Sequence, residues 1–173
     1  MQFGVGVEYA IHSLFYLIGL PQGRIVGIKE LAKLNGLADA YLSKILSNLR
    51  KGGVVRSVPG AGGGYELSRA PEDISFWDVV AAVEGSSFAF QCAEIRCSGA
   101  LASGDTKCDT KAPCLIRVVM EEAEERMRDY LRSKSLAWLY QTAKDGFSDD
   151  AVKTLSSWVT SGKIPHRDET QVQ

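Results

Sequence analysis

A chain of 173 residues is enough for one domain, or a small domain with an appendage. Its net charge of −1 argues by itself weakly against nucleic-acid binding, and no apolar run is long enough to span a bilayer. The apolar start lacks a basic leading region and a small-residue cleavage site, so it reads as a mature helix and the expected compartment is the cytoplasm. Four cysteines in that reducing setting favour metal or redox chemistry over a disulfide frame.

Val5 to Leu20 is predicted as the first helix, with Val7, Ile11, Leu14 and Ile18 as its apolar line and Pro21 and Gly23 ending it. Glu8, His12 and Phe15 share an adjacent strip, because residues three or four apart stack on one face. Ile28 to Leu34 is a short helix closed by Asn35-Gly36, and Gly36 permits a tight turn into the next helix, Ala38 to Lys51. That helix carries an apolar stripe of Tyr41, Leu42, Ile45, Leu46 and Leu49, and turns Asp39, Ser43, Lys44, Ser47, Asn48 and Arg50 outward. Gly52-Gly53 stops it. A strand over 54–58 follows, then the tip Pro59 to Gly64 and a returning strand.

A polar-faced helix followed at once by a basic hairpin is the winged helix-turn-helix plan. The charge map agrees. Between Arg24 and Arg69 eight basic residues stand against Glu30, Asp39 and Glu66, inside a chain that is otherwise acidic. Helix-hairpin units that only pack, and basic faces that are only solvated, are the bland alternatives. The candidate DNA contacts are Ser43, Lys44 and Asn48 in a groove, with Lys51, Arg56 and Arg69 on phosphates.

Ser75 is the expected N-cap of a helix through Val83, with Asp78 at its third helical position. Phe88 to Pro113 has no periodicity, and the cysteines fall as Cys92-x4-Cys97-x10-Cys108-x5-Cys114. A long irregular loop of this kind is usually functional or disordered, and the cysteines favour function. Cys114 to Leu131 is a long helix with Ile116, Val119, Met120, Ala123, Met127, Tyr130 and Leu131 on one side and Glu121, Glu122, Glu124 and Glu125 on the other. It serves for dimerisation, with a core helix as the equal alternative from pattern alone. Helices Leu136 to Lys144 and Asp149 to Ser161 follow, and the polar end from Ile164 is expected to fray.

The expected fold is therefore mainly α with a small β-wing. It divides into a winged helix-turn-helix domain (1–85), a cysteine-bearing loop (86–113), a dimerisation helix with its follower (114–146) and a C-terminal helix and tail (147–173). No nucleotide loop, triad or carboxylate pair points to an enzyme, and Gly60-Ala61-Gly62-Gly63-Gly64 lies between strands rather than between a strand and a helix.

The run YLSKILSNLRKGGVVRSVPGAGGGYELSRAPEDISFWDVVAAVEG, from Tyr41 onward, resembles the family of winged-helix iron–sulfur transcription regulators that includes IscR, NsrR and RsrR. The resemblance covers the chain from the first helix to about Leu139. Gly6 to His12 and the late pair Cys108-x5-Cys114 look most like the RsrR group. It implies a cytoplasmic homodimer that binds a partly palindromic DNA operator, acting as a repressor, with a 2Fe–2S iron–sulfur cluster controlling DNA affinity. Two departures stand out: the recognition helix begins Ala38-Asp39-Ala40, and Pro59 occupies the place of a common basic residue in the wing, so the operator sequence does not transfer.

Members of that family take a non-cysteine ligand from a His shortly after the last cysteine or from the first helix of the partner subunit. Here no His closely follows Cys114, and His166 lies in the tail. The resemblance thus implies Cys108 and Cys114 from one subunit with Glu8 and His12 from the other, a thiolate-held iron beside one with nitrogen and oxygen ligands. The alternative is a zinc-bound or metal-free winged-helix regulator sensing thiol oxidation, nitric oxide or a small ligand. Zinc sites favour Cys-x2-Cys spacings, absent here, and a thiol sensor would use Cys92 and Cys97.

Overall fold

A computed structural model describes residues 3–21, 24–60, 62–93, 95, 113–144 and 146–161. Cys97, Cys108 and the end from Ile164, with His166, lie outside the described residues.

Helix α1, Val5–Ile18, stops two residues earlier than its apolar pattern predicts, at Gly19. Glu8 and His12 are exposed on it, but Phe15, expected on the same strip, is buried. The reason is local cover. The rings of Tyr140 and Phe147 lie 5.3 and 5.5 Å from Phe15 and close that end of the face, while its beginning stays open.

Helix α2, Ile28–Asn35, and helix α3, Asp39–Lys51, form the helix-turn-helix pair. Gly36 between them has φ of +65°, a left-handed value that side chains resist, and its N–H bonds back to α2 carbonyls. Helix α3 buries Leu42, Ile45, Leu46 and Leu49 as the stripe predicts. Tyr41 departs from it: the side chain is 40% exposed, with its ring edge-on to Tyr9 at 5.8 Å. Tyr41 sits in the first turn, at the edge of the stripe, where the core has already thinned.

Strands β1, Val55–Val58, and β2, Gly64–Leu67, pair antiparallel with Val55 opposite Leu67. The root of this wing is fixed to the helical unit. Val26, just before α2, exchanges both backbone hydrogen bonds with Tyr65 at 3.1 and 2.9 Å. After a 3-10 turn at Pro71–Asp73, helix α4, Phe76–Glu84, opens on the expected cap. The Asp78 N–H donates to Ser75 Oγ at 3.1 Å and the Ser75 N–H donates to Asp78 Oδ2 at 2.8 Å, which satisfies two end donors reciprocally.

Helices α5, Leu115–Arg132, α6, Leu136–Lys144, and α7, Asp149–Ser161, follow among the described residues. None of the described helices is long and apolar enough to cross a membrane. One apolar core unites Leu14 of α1, Leu31 of α2, Leu42, Leu46 and Leu49 of α3, Ile74, Val79 of α4, Leu136 of α6 and Trp158 of α7. The C-terminal helix is thus part of the winged unit's interior. Arg24 seals it: its guanidinium stacks 5.0 Å from the Trp158 ring and donates to the carbonyls of Trp158 and Val159, capping the negative end of α7.

Candidate nucleic-acid interface and sensor region

The outward side of α3 presents Ser43, Lys44 and Lys51 exposed and Asn48 half-buried, opposite the leucine stripe that seats the helix. That arrangement leaves amide, hydroxyl and ammonium groups for a groove and its backbone. The two arginines beyond it are less available than the sequence implies. Arg56, on β1, points outward but its Nε donates to Glu66 Oε1 of the opposite strand at 2.9 Å. Arg69 donates to the Asp73 carbonyl at 2.9 Å and lies 3.7 Å from the Asp78 carboxylate. Arg24, counted in the basic stretch, is turned inward onto α7. DNA contact by Arg56 or Arg69 therefore exchanges one anion for another, whereas Lys44 has no ion-pair partner among the described residues.

Glu8 and His12 project together from the exposed start of α1. They flank a shallow depression of about 340 Å³ whose apolar wall includes Phe3, Val7 and Ile11. Cys114 is half-buried at the N-cap of α5, and Cys92 is a half-buried thiol in the segment after α4. Cys108 lies outside the described residues. Carboxylate oxygen, imidazole nitrogen and thiolate sulfur together fit a mixed-ligand iron–sulfur cluster. Among the described residues of a single chain no three His, Cys, Asp or Glu side chains converge on one point. Glu8, His12 and Cys114 of one chain form no such group.

Helix α5 carries a surface that suits pairing between two chains. Leu115, Ile116, Val119 and Tyr130 are each more than 60% exposed, and Met120 is 44% exposed. The other face of α5 differs from its pattern. Glu124, expected to point to solvent with its glutamate neighbours, is buried. Arg128 Nη2 donates to its Oε1 at 2.7 Å and the Ala89 N–H donates to its Oε2 at 2.9 Å. Burial pushes the Glu124 carboxyl up, but the hydrogen bonds from Arg128 and from the Ala89 amide outweigh it and hold the group below its ordinary range. The guanidinium of Arg128 lies between the rings of Trp77 at 4.6 Å and Phe88 at 4.1 Å, and also donates to the Ser86 carbonyl at 3.0 Å. In the sequence Glu124 and Arg128 look like any other i,i+4 surface pair. The only hint is the aromatic pair Trp77 and Phe88 flanking a turn.

A helix-turn-helix with an antiparallel wing rooted beside it defines the class of winged-helix DNA-binding proteins. The family model Rrf2, described as an iron-dependent transcriptional regulator, matches residues 4–142, and the chain belongs to the Rrf2 family. It is 36% identical over 118 residues to the protein rrf2 of Nitratidesulfovibrio vulgaris, covering 68% of this chain and 73% of that one. Among solved structures, T. potens IscR superposes with a TM-score of 0.62 at 25% identity, covering 88% of this chain and 96% of that one. The oxidized form of Staphylococcus aureus CymR superposes with a TM-score of 0.57 at 25% identity, covering 81% and 96%. The protein is an Rrf2-family transcriptional regulator with a winged-helix DNA-binding fold.

Proposed function

We propose that this regulator is a cytoplasmic homodimeric repressor of a partly palindromic operator, and that it senses redox state through a 2Fe–2S cluster held between its subunits. The observation that carries the proposal is the side-by-side exposure of Glu8 and His12 on α1, with no third donor grouped with them among the described residues of their own chain. Cys108 and Cys114 of one subunit would supply thiolates, and Glu8 and His12 of the other the oxygen and nitrogen. When bound, such a group takes up and releases one electron. Helix α1 packs on α3 and α4, so a shift of α1 moves the paired reading helices and the match between half-sites.

The test is an absorption spectrum with iron and sulfide analysis on protein purified without oxygen, followed by operator binding in both redox states. About two iron and two sulfide per subunit, lost in Glu8→Ala and His12→Ala, with unequal operator affinity, is the expected result. A colourless wild-type protein that still binds DNA removes the cluster. In that case the similarity to a protein solved in an oxidized form favours a thiol switch at Cys92 and Cys97 on the same scaffold.

A further inference from the structure

We propose that the buried Glu124–Arg128 pair of α5 is the positioning element that couples the cysteine-bearing stretch to the DNA-reading unit. This rests on the reading that the signal enters at the cysteines, but not on which chemistry acts there. The described residues between α4 and Cys92 are held to α5 by the Ser86 carbonyl and the Phe88 ring on Arg128, and by the Ala89 and Phe90 amides on Glu124. Cys92 follows Ala89 by three residues. On its other side the same guanidinium stacks on Trp77 of α4, the helix that packs against α1 and α3. The far end of α4 is tied to the start of α1, where the Gly4 N–H donates to Glu84 Oε1 at 3.1 Å. Arg128 therefore joins the segment leading to Cys92 with the helix that seats both the recognition helix and the Glu8–His12 face.

The pair is built to respond in one step. Both side chains are 7% exposed, and Arg128 Nε is buried with no hydrogen-bond partner among the described residues. A movement of 86–89 strips Arg128 of the Ser86 carbonyl and a ring face, and strips Glu124 of an amide. Each loss leaves more of a buried charge unsatisfied, so intermediate positions are penalised and two discrete placements are favoured. Substitution Arg128→Lys keeps the charge but not the planar fork that reaches Ser86 and Glu124 while stacking on two rings. The double change Glu124→Met with Arg128→Met removes both charges and fills the space with apolar side chains. It keeps a folded core available if the single change fails to fold.

The experiment uses the full chain, reduced, and a duplex selected by the wild-type protein from a random-sequence pool. Maleimide labelling of Cys92 is followed by peptide mass spectrometry with and without that duplex. In the wild type the duplex slows labelling at Cys92 by about fivefold or more, the lower end of ordinary coupling between sites. In Arg128→Lys, and in the double methionine variant, the protection falls to within about twofold of none while the duplex is still bound. Unchanged protection in either folded variant, or no protection in the wild type, overturns the proposal. Because the thiols are labelled without iron, failure here is distinct from failure of the cluster reading, which the spectrum decides.

Discussion

The indole N–H of Trp158 donates to Glu30 Oε1 at 2.6 Å, joining the C-terminal helix to the first helix of the DNA-reading pair across 128 positions of sequence. The ring is 1% exposed and stands edge-on to Tyr16 at 6.0 Å, with Arg24 over its face. This contact ties α7 directly to α2.

Replacement of Trp158 tests the contact. Trp158→Ala removes a fully buried ring and costs about 3–5 kcal/mol, read by urea unfolding at constant slope. Trp158→Phe retains most of the packing and loses the Glu30 bond, for about 1 kcal/mol, since Glu30 keeps access to water. A Trp158→Ala variant as stable as the parent shows that α7 does not belong to the core.

The Glu124–Arg128 pair gives a sign-specific pH effect. Arg128→Met leaves the Glu124 carboxylate buried without its main donor and costs about 3 kcal/mol at neutral pH. Because the folded carboxyl is held below its ordinary value of 4.5, its contribution is fully present above that value. It is lost as the pH falls through the lower folded value. The acid limb of the parent's stability curve should therefore flatten in the double methionine variant. Unfolding midpoints measured from pH 7 down to pH 3 check this, and a limb of unchanged steepness refutes it.

The apolar side of α5 makes a prediction about assembly. Val119→Glu places a charge within the row of Leu115, Ile116 and Met120. It should convert a dimer into a monomer in sedimentation at micromolar concentration. With only one half-site engaged, operator affinity should fall on the order of 10²-fold, as for any loss of bivalency. A dimeric Val119→Glu protein would assign pairing to another face.

The ion pairs of the wing rank the candidate phosphate contacts. Lys44→Ala should lower the slope of log affinity against log salt by about one. Arg56→Ala should lower it by less, because binding must first displace Glu66. Glu66→Gln should then raise affinity at low salt. Operator titrations at several salt concentrations measure all three, and an equal loss for Lys44→Ala and Arg56→Ala would show that the Arg56–Glu66 pair carries no weight.

The parts of the molecule that obey one local rule were legible in the sequence. The leucine stripe of α3, the turn at Gly36, the wing and the Ser75 cap each follow from period or turn chemistry within a few residues. The misplacements share a different cause. Tyr41, Phe15 and Glu124 each sit on a face whose cover comes from elsewhere in the chain, or fails to come: Tyr140 and Phe147 over Phe15, the 86–89 segment over Glu124, little over Tyr41. Periodicity assigns a residue to a face but does not say what arrives to cover it. The inward turn of Arg24 belongs with these, since its partner is the backbone of residues more than 130 positions away.

Trp158 also sets a timetable. At about 5–20 residues per second, synthesis takes several seconds to travel from the end of α4 to this residue. During that interval the recognition helix, wing and cap already exist as sequence, but the pocket between Tyr16 and Glu30 has no occupant. The winged unit therefore finishes folding only after Trp158 has been made. A chain ending before Trp158 would carry every candidate DNA contact named above and still lack the interior that holds them in place.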